Sequence, residues 1–254
     1  MKNALPLLLG GGAILLLTSS SKRPAISSKK KAKACPPLQP GGGAALGYDY
    51  LEFTTGGAEL NERLPIIFFF HCLGCRPNTL VKHIEDLPVR ARVIMPTGNS
   101  KYGSNPAWWT LRSKTGDQEE LARMMDRESA KMQEFVETMN DCLAGVGRPI
   151  ITGYSQGGMM TYALAARSPD TYKAAVPVAG WLPVDLWPNE LPETYAVHGT
   201  KDSTVKYSRT KDFIEQMDAK GMPVTFYPIS GIGHSLSGDL KGTWKDLVEY
   251  AVEA

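Results

Sequence analysis

One stretch limits this chain more than any other: Ile150-Ile151-Thr152-Gly153-Tyr154-Ser155-Gln156-Gly157-Gly158. It reads as a short apolar strand, a glycine-pinched turn and a helix start, with a serine at the tip. Gly-x-Ser-x-Gly is the spacing of a sharp strand-to-helix elbow that exposes a serine hydroxyl. Such a turn leaves no volume two residues either side of the serine, which suits Gly153 and Gly157. The Gln156 N–H then opens a helix beside the Ser155 hydroxyl, where the helix dipole favours negative charge. Taken alone, the pentapeptide also fits an ordinary turn. The rest of the chain decides between the two.

Strand and helix patterns alternate along the sequence. Tyr48–Thr55 reads as an opening strand. Leu64–Phe70 is a continuous apolar run, as expected of a strand covered on both faces. Val93–Pro96 is a further strand, followed by a Gly/Asn/Ser loop leading to Trp108 and Trp109. Asp117–Gly147 carries Leu121, Met125, Met132, Phe135, Val136, Met139 and Cys142 on one helical face, so Cys142 is expected in the core. Beyond the elbow come strands at Ala174–Ala179, Thr194–Val197 and Val224–Tyr227. Phe213, Ile214 and Met217 mark a helix between the last two, and Leu240, Trp244, Leu247 and Val248 mark a closing helix. This order implies a doubly wound, mostly parallel sheet with helices on both faces. In such sheets the reactive groups sit at the carboxyl ends of the strands.

Three candidates occupy such ends. Ser155 follows one strand, Asp202 another and His234 a third. Asp202 alone also suits a helix N-cap, and His234 alone a surface loop. Together they stand in the order Ser…Asp…His, which is that of the α/β-hydrolase triad and of neither protease order. A serine hydroxyl needs a base, and the base needs a carboxylate to fix its tautomer. His71-Cys72-Leu73-Gly74, after the strand ending at Phe70, is placed to supply a second oxyanion donor, assigned to the Leu73 N–H beside that of Gln156. His71 and His198 are expected to brace loops.

The chain's +2 net charge hides an asymmetry. Seven of 28 basic residues and none of 26 acidic residues lie in residues 1–47, leaving the remainder at −5. A mildly acidic domain gives no reason to expect nucleic-acid binding. Residues 1–17 are mostly apolar and read as a signal or anchor segment. The positive charges after them favour an anchor with a cytoplasmic flank, while secretion is the alternative. Residues 18–47, rich in Ser, Lys, Pro and Gly, read as a linker, and residues 48–254 as the folded domain. Residues 1–33 give possible membrane contact through the apolar run and the lysines.

Cys72-x-x-Cys75 fits a redox pair, half a metal site or two small loop residues. No second such pair completes a zinc site, so neither a metal nor any other cofactor is expected.

These motifs resemble the carboxylesterase/phospholipase family that includes acyl-protein thioesterases. The elbow Gly153-Tyr154-Ser155-Gln156-Gly157-Gly158 matches its Gly-Phe-Ser-Gln-Gly-Gly. His71-Cys72-Leu73-Gly74-Cys75 stands where the family has His-Gly-Leu-Gly-Asp, so Cys72 replaces a glycine and Cys75 an aspartate. Gly180-Trp181-Leu182-Pro183 is similar to a segment near the family's acyl pocket, and His198–Asp202 and Gly233-His234 to its acid and base motifs. The resemblance runs from about Tyr48 onward and implies an α/β-hydrolase fold. A Cys72–Cys75 disulfide would stiffen the departing loop.

The expected activity is a serine hydrolase acting on small or lipid-like carboxylic esters or thioesters. Trp108, Trp109 and Trp181 are candidates for an acyl pocket. Alternatives are a peptidase or polyester depolymerase on the same fold, a non-enzymatic membrane-tethered binding module, and a thiol redox module built on Cys72 and Cys75.

Overall fold

The structure is a computed structural model and describes residues 35–36, 39–110, 117–143 and 145–254. The apolar segment 1–17 and the basic part of the linker lie outside these. Among the described residues, no helix is long and apolar enough to cross a membrane.

The strands are β1 (Gly42–Ala45), β2 (Tyr48–Thr54), β3 (Ile66–Phe70), β4 (Arg92–Pro96), β5 (Ser100–Tyr102), β6 (Asn105–Ala107), β7 (Ile150–Tyr154), β8 (Ala174–Val178), β9 (Glu193–Gly199) and β10 (Val224–Ile229). The helices are α1 (Pro77–Leu80), α2 (Gln118–Cys142), α3 (Gln156–Arg167), α4 (Tyr207–Ala219) and α5 (Gly238–Glu253). Eight strands form one sheet in the order β1-β2-β4-β3-β7-β8-β9-β10. β1 and β2 pair antiparallel, as do β2 and β4; from β4 to β10 every pairing is parallel. β5 and β6 form a separate hairpin.

The apolar run of β3 serves two cores at once. Ile66, Phe68 and Phe70 join the cluster packed under α2, α3 and α4, while Ile67 and Phe69 join the one under α5. Successive strand side chains point to opposite faces, so a strand covered on both sides must be apolar throughout. Phe135 of α2 is met edge-on by Tyr48, Tyr50 and Phe68, with centroids at 5.6, 6.1 and 6.3 Å. Each such buried aromatic contributes roughly 1.5–3 kcal/mol. On the opposite face, Trp244 packs on Phe69 and donates from its indole to Thr152 Oγ1 at 2.8 Å. Helix α2 starts where the Asp117 side chain accepts the Glu120 N–H at 2.9 Å, with Glu119 and Glu120 in its positive first turn.

The linker expected to reach residue 47 ends earlier. β1 lies inside it and pairs with β2 from Gly42↔Leu51 to Ala45↔Tyr48. A glycine-rich composition suggested a tether, but Leu46 and Gly47 take φ of 50° and 81°, the left-handed pair of a tight hairpin turn. The Gly/Asn/Ser loop likewise contains the β5–β6 hairpin.

Cys142 is another correction. It is half-buried in the last turn of α2 and forms a disulfide with Cys35. Its partner lies 107 residues away, outside the periodic pattern that suggested a core position.

Candidate active site

The elbow is built from backbone contact. Ser155 sits between β7 and α3 at φ 57° and ψ −115°, a left-handed conformation rare for a residue with a side chain. A Cβ on Gly157 would lie 1.9 Å from the Phe70 carbonyl oxygen, and one on Gly153 would lie 2.5 Å from the Gly157 carbonyl oxygen. Both glycines are therefore required by the approach of α3 to the end of β3. The Ser155 N–H donates to the Val178 carbonyl at 2.9 Å, which fixes the turn to β8.

Two other strand ends bring their side chains to this hydroxyl. His234 follows β10 and presents Nε2 at 2.8 Å from Ser155 Oγ. Its Nδ1 lies 2.6 Å from Asp202 Oδ2, after β9. A carboxylate only accepts, so Nδ1 carries the proton and Nε2 is left to receive one from serine. Asp202 Oδ1 accepts the N–H groups of Thr204 and Val205 at 2.8 and 2.9 Å. The cap of α4 is Lys206, so Asp202 does not serve as its N-cap. Burial pushes the Asp202 carboxyl upward, but bonds from His198 and His234 outweigh it and hold the group well below the usual carboxylate range.

His198 and His71 brace loops, as expected. His198 is fully buried; its Nε2 donates to the Val205 carbonyl at 3.0 Å and lies 3.3 Å from Asp202 Oδ2. The His71 Nδ1–H donates to the Cys72 carbonyl at 2.8 Å, and Nε2 accepts the Gly98 N–H at 2.9 Å. Burial lowers the pKa of His71 to about 4, so it stays neutral near neutrality.

Cys72 and Cys75 form a disulfide, so neither sulfur is a free thiolate for a metal, and the link is equally the oxidised form of a redox pair or a staple across the loop. The Cys75 N–H donates to the Cys72 carbonyl at 3.0 Å, and Gly74 takes φ +73°. These are the marks of a tight turn with glycine at its third position, and the turn's own bond leaves the Leu73 N–H unused. The Gly74 N–H reaches the Pro106 carbonyl of β6 at 2.9 Å. Gln156 is the first residue of α3, so its N–H has no partner within the helix. Its side chain has a task that the sequence did not suggest. Oε1 accepts from Trp108 N–H at 2.9 Å and Nε2 donates to the Trp109 carbonyl at 2.8 Å, clamping that loop to the elbow.

The three tryptophans expected in an acyl pocket are buried instead, at 1%, 2% and 5% exposure for Trp108, Trp109 and Trp181. Trp108 stacks on His71 at 4.7 Å and donates to its carbonyl at 2.8 Å. Trp181 carries the Arg209 guanidinium 4.9 Å above its ring. An indole covered this fully by protein offers an acyl chain little surface, so these residues act as braces behind the loops. Among the described residues, no group of three or more His, Cys, Asp or Glu is arranged to hold a metal ion.

Comparison with known proteins gives relatives of one kind. The carboxylesterase SOBER1 of Arabidopsis thaliana is 30% identical over 94 residues, covering 34% of this chain and 41% of that relative. The chain thus matches about two-fifths of that relative's length. The Bacillus cereus carboxylesterase superposes with a TM-score of 0.67 at 17% identity, over 80% of this chain and 94% of the other. Acyl-protein thioesterase 2 of Zea mays gives 0.64 at 19% identity, over 80% and 98%. Both share the fold, an α/β-hydrolase sheet. Residues 59–249, which include the elbow and all three converging strand ends, match the phospholipase/carboxylesterase family, and the chain belongs to that family of hydrolases.

Proposed function

We propose that this chain cleaves carboxylic esters or thioesters through an acyl-enzyme formed on Ser155. The observation that carries this is the unbroken relay from Ser155 Oγ to His234 at 2.8 Å and on to Asp202 at 2.6 Å. Ser155 Oγ attacks the acyl carbon while its proton passes to His234 Nε2. The carbonyl oxygen becomes an oxyanion, received by the N–H groups of Gln156 and Leu73. Donors of this kind typically lower the barrier by about 3–4 kcal/mol each. His234 then protonates the leaving alcohol or thiol, and the same steps with water release the acid. Asp202 stays ionised throughout, holds the Nδ1 proton and stabilises the imidazolium.

The test is a fluorophosphonate probe with an ester and thioester panel. The wild-type chain is labelled and turns over substrate; Ser155→Ala loses both, by about a millionfold in kcat. Equal labelling of the variant overturns the reading.

All four cysteines lie in disulfides. We propose on that basis that the domain works in an oxidising compartment. Alkylation of native protein under denaturing, non-reducing conditions should then find no free thiol. A contact of the basic segment before Cys35 with the anionic cytoplasmic leaflet is the competing proposal and excludes the first, since segment and domain lie on one side of the membrane. Salt-sensitive sedimentation of the full chain with phosphatidylserine vesicles tests that contact.

A further inference from the structure

His234 is held by a glycine-containing loop strapped to the end of β9, where the Lys201 N–H donates to the Ile232 carbonyl at 2.9 Å and the Gly231 N–H to Thr200 Oγ1 at 3.0 Å. Its ring is fixed at two atoms, Nδ1 by Asp202 and Nε2 by Ser155. Those bonds lie at opposite ends of the ring. Both bonds favour a ring in the plane of their partners, but each yields readily to small tilts of the imidazole. Proton transfer from the Ser155 O–H to the Nε2 lone pair depends on that tilt.

A further restraint comes from the residue before Ser155. The Tyr154 ring lies 5.1 Å from that of His234, with 27° between their planes. Tyr154 is itself 9% exposed and packed in the core under α5, so its face cannot turn away. Burial, then the charge of Asp202, raises the phenol above its ordinary value, so it stays neutral and offers only a π-face. We propose that Tyr154 is a positioning residue that sets the tilt of His234 and favours its imidazolium form. This rests on the proposed relay. The titratable neighbours of the imidazole are Asp202 from the β9 loop, Ser155 and Tyr154 from the elbow, and, through the same carboxylate oxygen, His198. The stack adds a cation–π attraction to the carboxylate's pull each time the ring takes up a proton.

The test compares Tyr154→Phe with Tyr154→Leu and Tyr154→Met in the full chain. Removal of the face should lower kcat about tenfold with KM nearly unchanged. It should also move the acid limb of kcat, and the NMR titration midpoint of His234 without substrate, about half a unit to lower pH. The direction follows because the face favours the protonated ring. Tyr154→Phe keeps the face and should match the wild type in all three. The titration read on whichever of Leu and Met folds decides the matter. An unchanged midpoint, or a Phe variant that falls as far as the others, overturns the stacking role. That failure is separable from failure of the function, since turnover that survives Ser155→Ala overturns the relay itself and the stacking role with it.

Discussion

The elbow after β7 and the loop after β3 lie at neighbouring strand ends, Phe70 pairing with Gly153, yet they are held by different means. The elbow is held by volume. Carbonyl oxygens fill the space that any side chain at Gly153 or Gly157 would need. The β3 loop is held by struts: the Cys72–Cys75 disulfide, one turn bond, the His71 imidazole and the Trp108 ring. A site fixed by volume has no alternative solution. A site fixed by struts can exchange one strut for another. That difference matches where the chain departs from the family pattern: the elbow keeps its glycines, and the loop has cysteines at two positions.

Breaking the elbow should have the largest effect. Gly157→Ala forces a methyl group into the Phe70 carbonyl. It should cost at least about 3 kcal/mol in denaturant unfolding and abolish ester turnover. A variant that folds and works would show that α3 can slide, and the contrast would fail.

The next effect is on the His71 strut. Its folded pKa, about 4, lies below an ordinary value of 6.5, so the unfolded chain takes up the proton first. Stability is complete above pH 6.5 and falls as the pH drops toward 4, by about 3 kcal/mol in all. His71→Gln, which retains a donor and an acceptor, should flatten that part of the pH–stability curve. An identical slope in the variant would locate the loss elsewhere.

A smaller effect separates the two loops most directly. Converting Cys72 and Cys75 together to serine removes a closed loop worth at most about 2 kcal/mol by chain entropy. It should lower kcat about tenfold through the loosened Leu73 N–H, with the rate of fluorophosphonate labelling falling in parallel. Activity that is indifferent to the double change would mean the turn bond alone suffices. The smallest effect on turnover is expected for Gln156→Ala. The variant keeps the backbone N–H but drops the clamp on Trp108 and Trp109, costing about 1–3 kcal/mol in stability. Its kcat should move less than that of the Cys72 and Cys75 double variant.

What could be read from the sequence follows the same division. Features set by short-range volume or periodicity were legible: the glycines of the elbow, the two-faced β3, the methionine stripe of α2 and the strand ends carrying Ser155, Asp202 and His234. Features set by distant partners were not. The pairing of Cys35 with Cys142 leaves no local signature. The β1 hairpin was hidden because Gly41-Gly42-Gly43 suits a tether as well as a crowded strand, and only the contact of Gly42 with the Tyr50 carbonyl tells them apart. The tryptophans show a related limit. Aromatic residues near an active-site loop suit a pocket or a brace equally well, and burial decides.

The Cys35–Cys142 link has a mechanical consequence. Tension applied between the N-terminal segment and the last helix would cross from residue 35 to residue 142 through sulfur. The intervening chain, with the edge strand β1, its neighbour β2 and the whole β3 loop, lies off the covalent path while that bond stands. Ser155, Asp202 and His234 all lie beyond residue 142, on the loaded side. Pulled along this path, the molecule would take strain at the Ser155 turn before its outer hairpin unzipped, and a reducing agent would reverse that sequence.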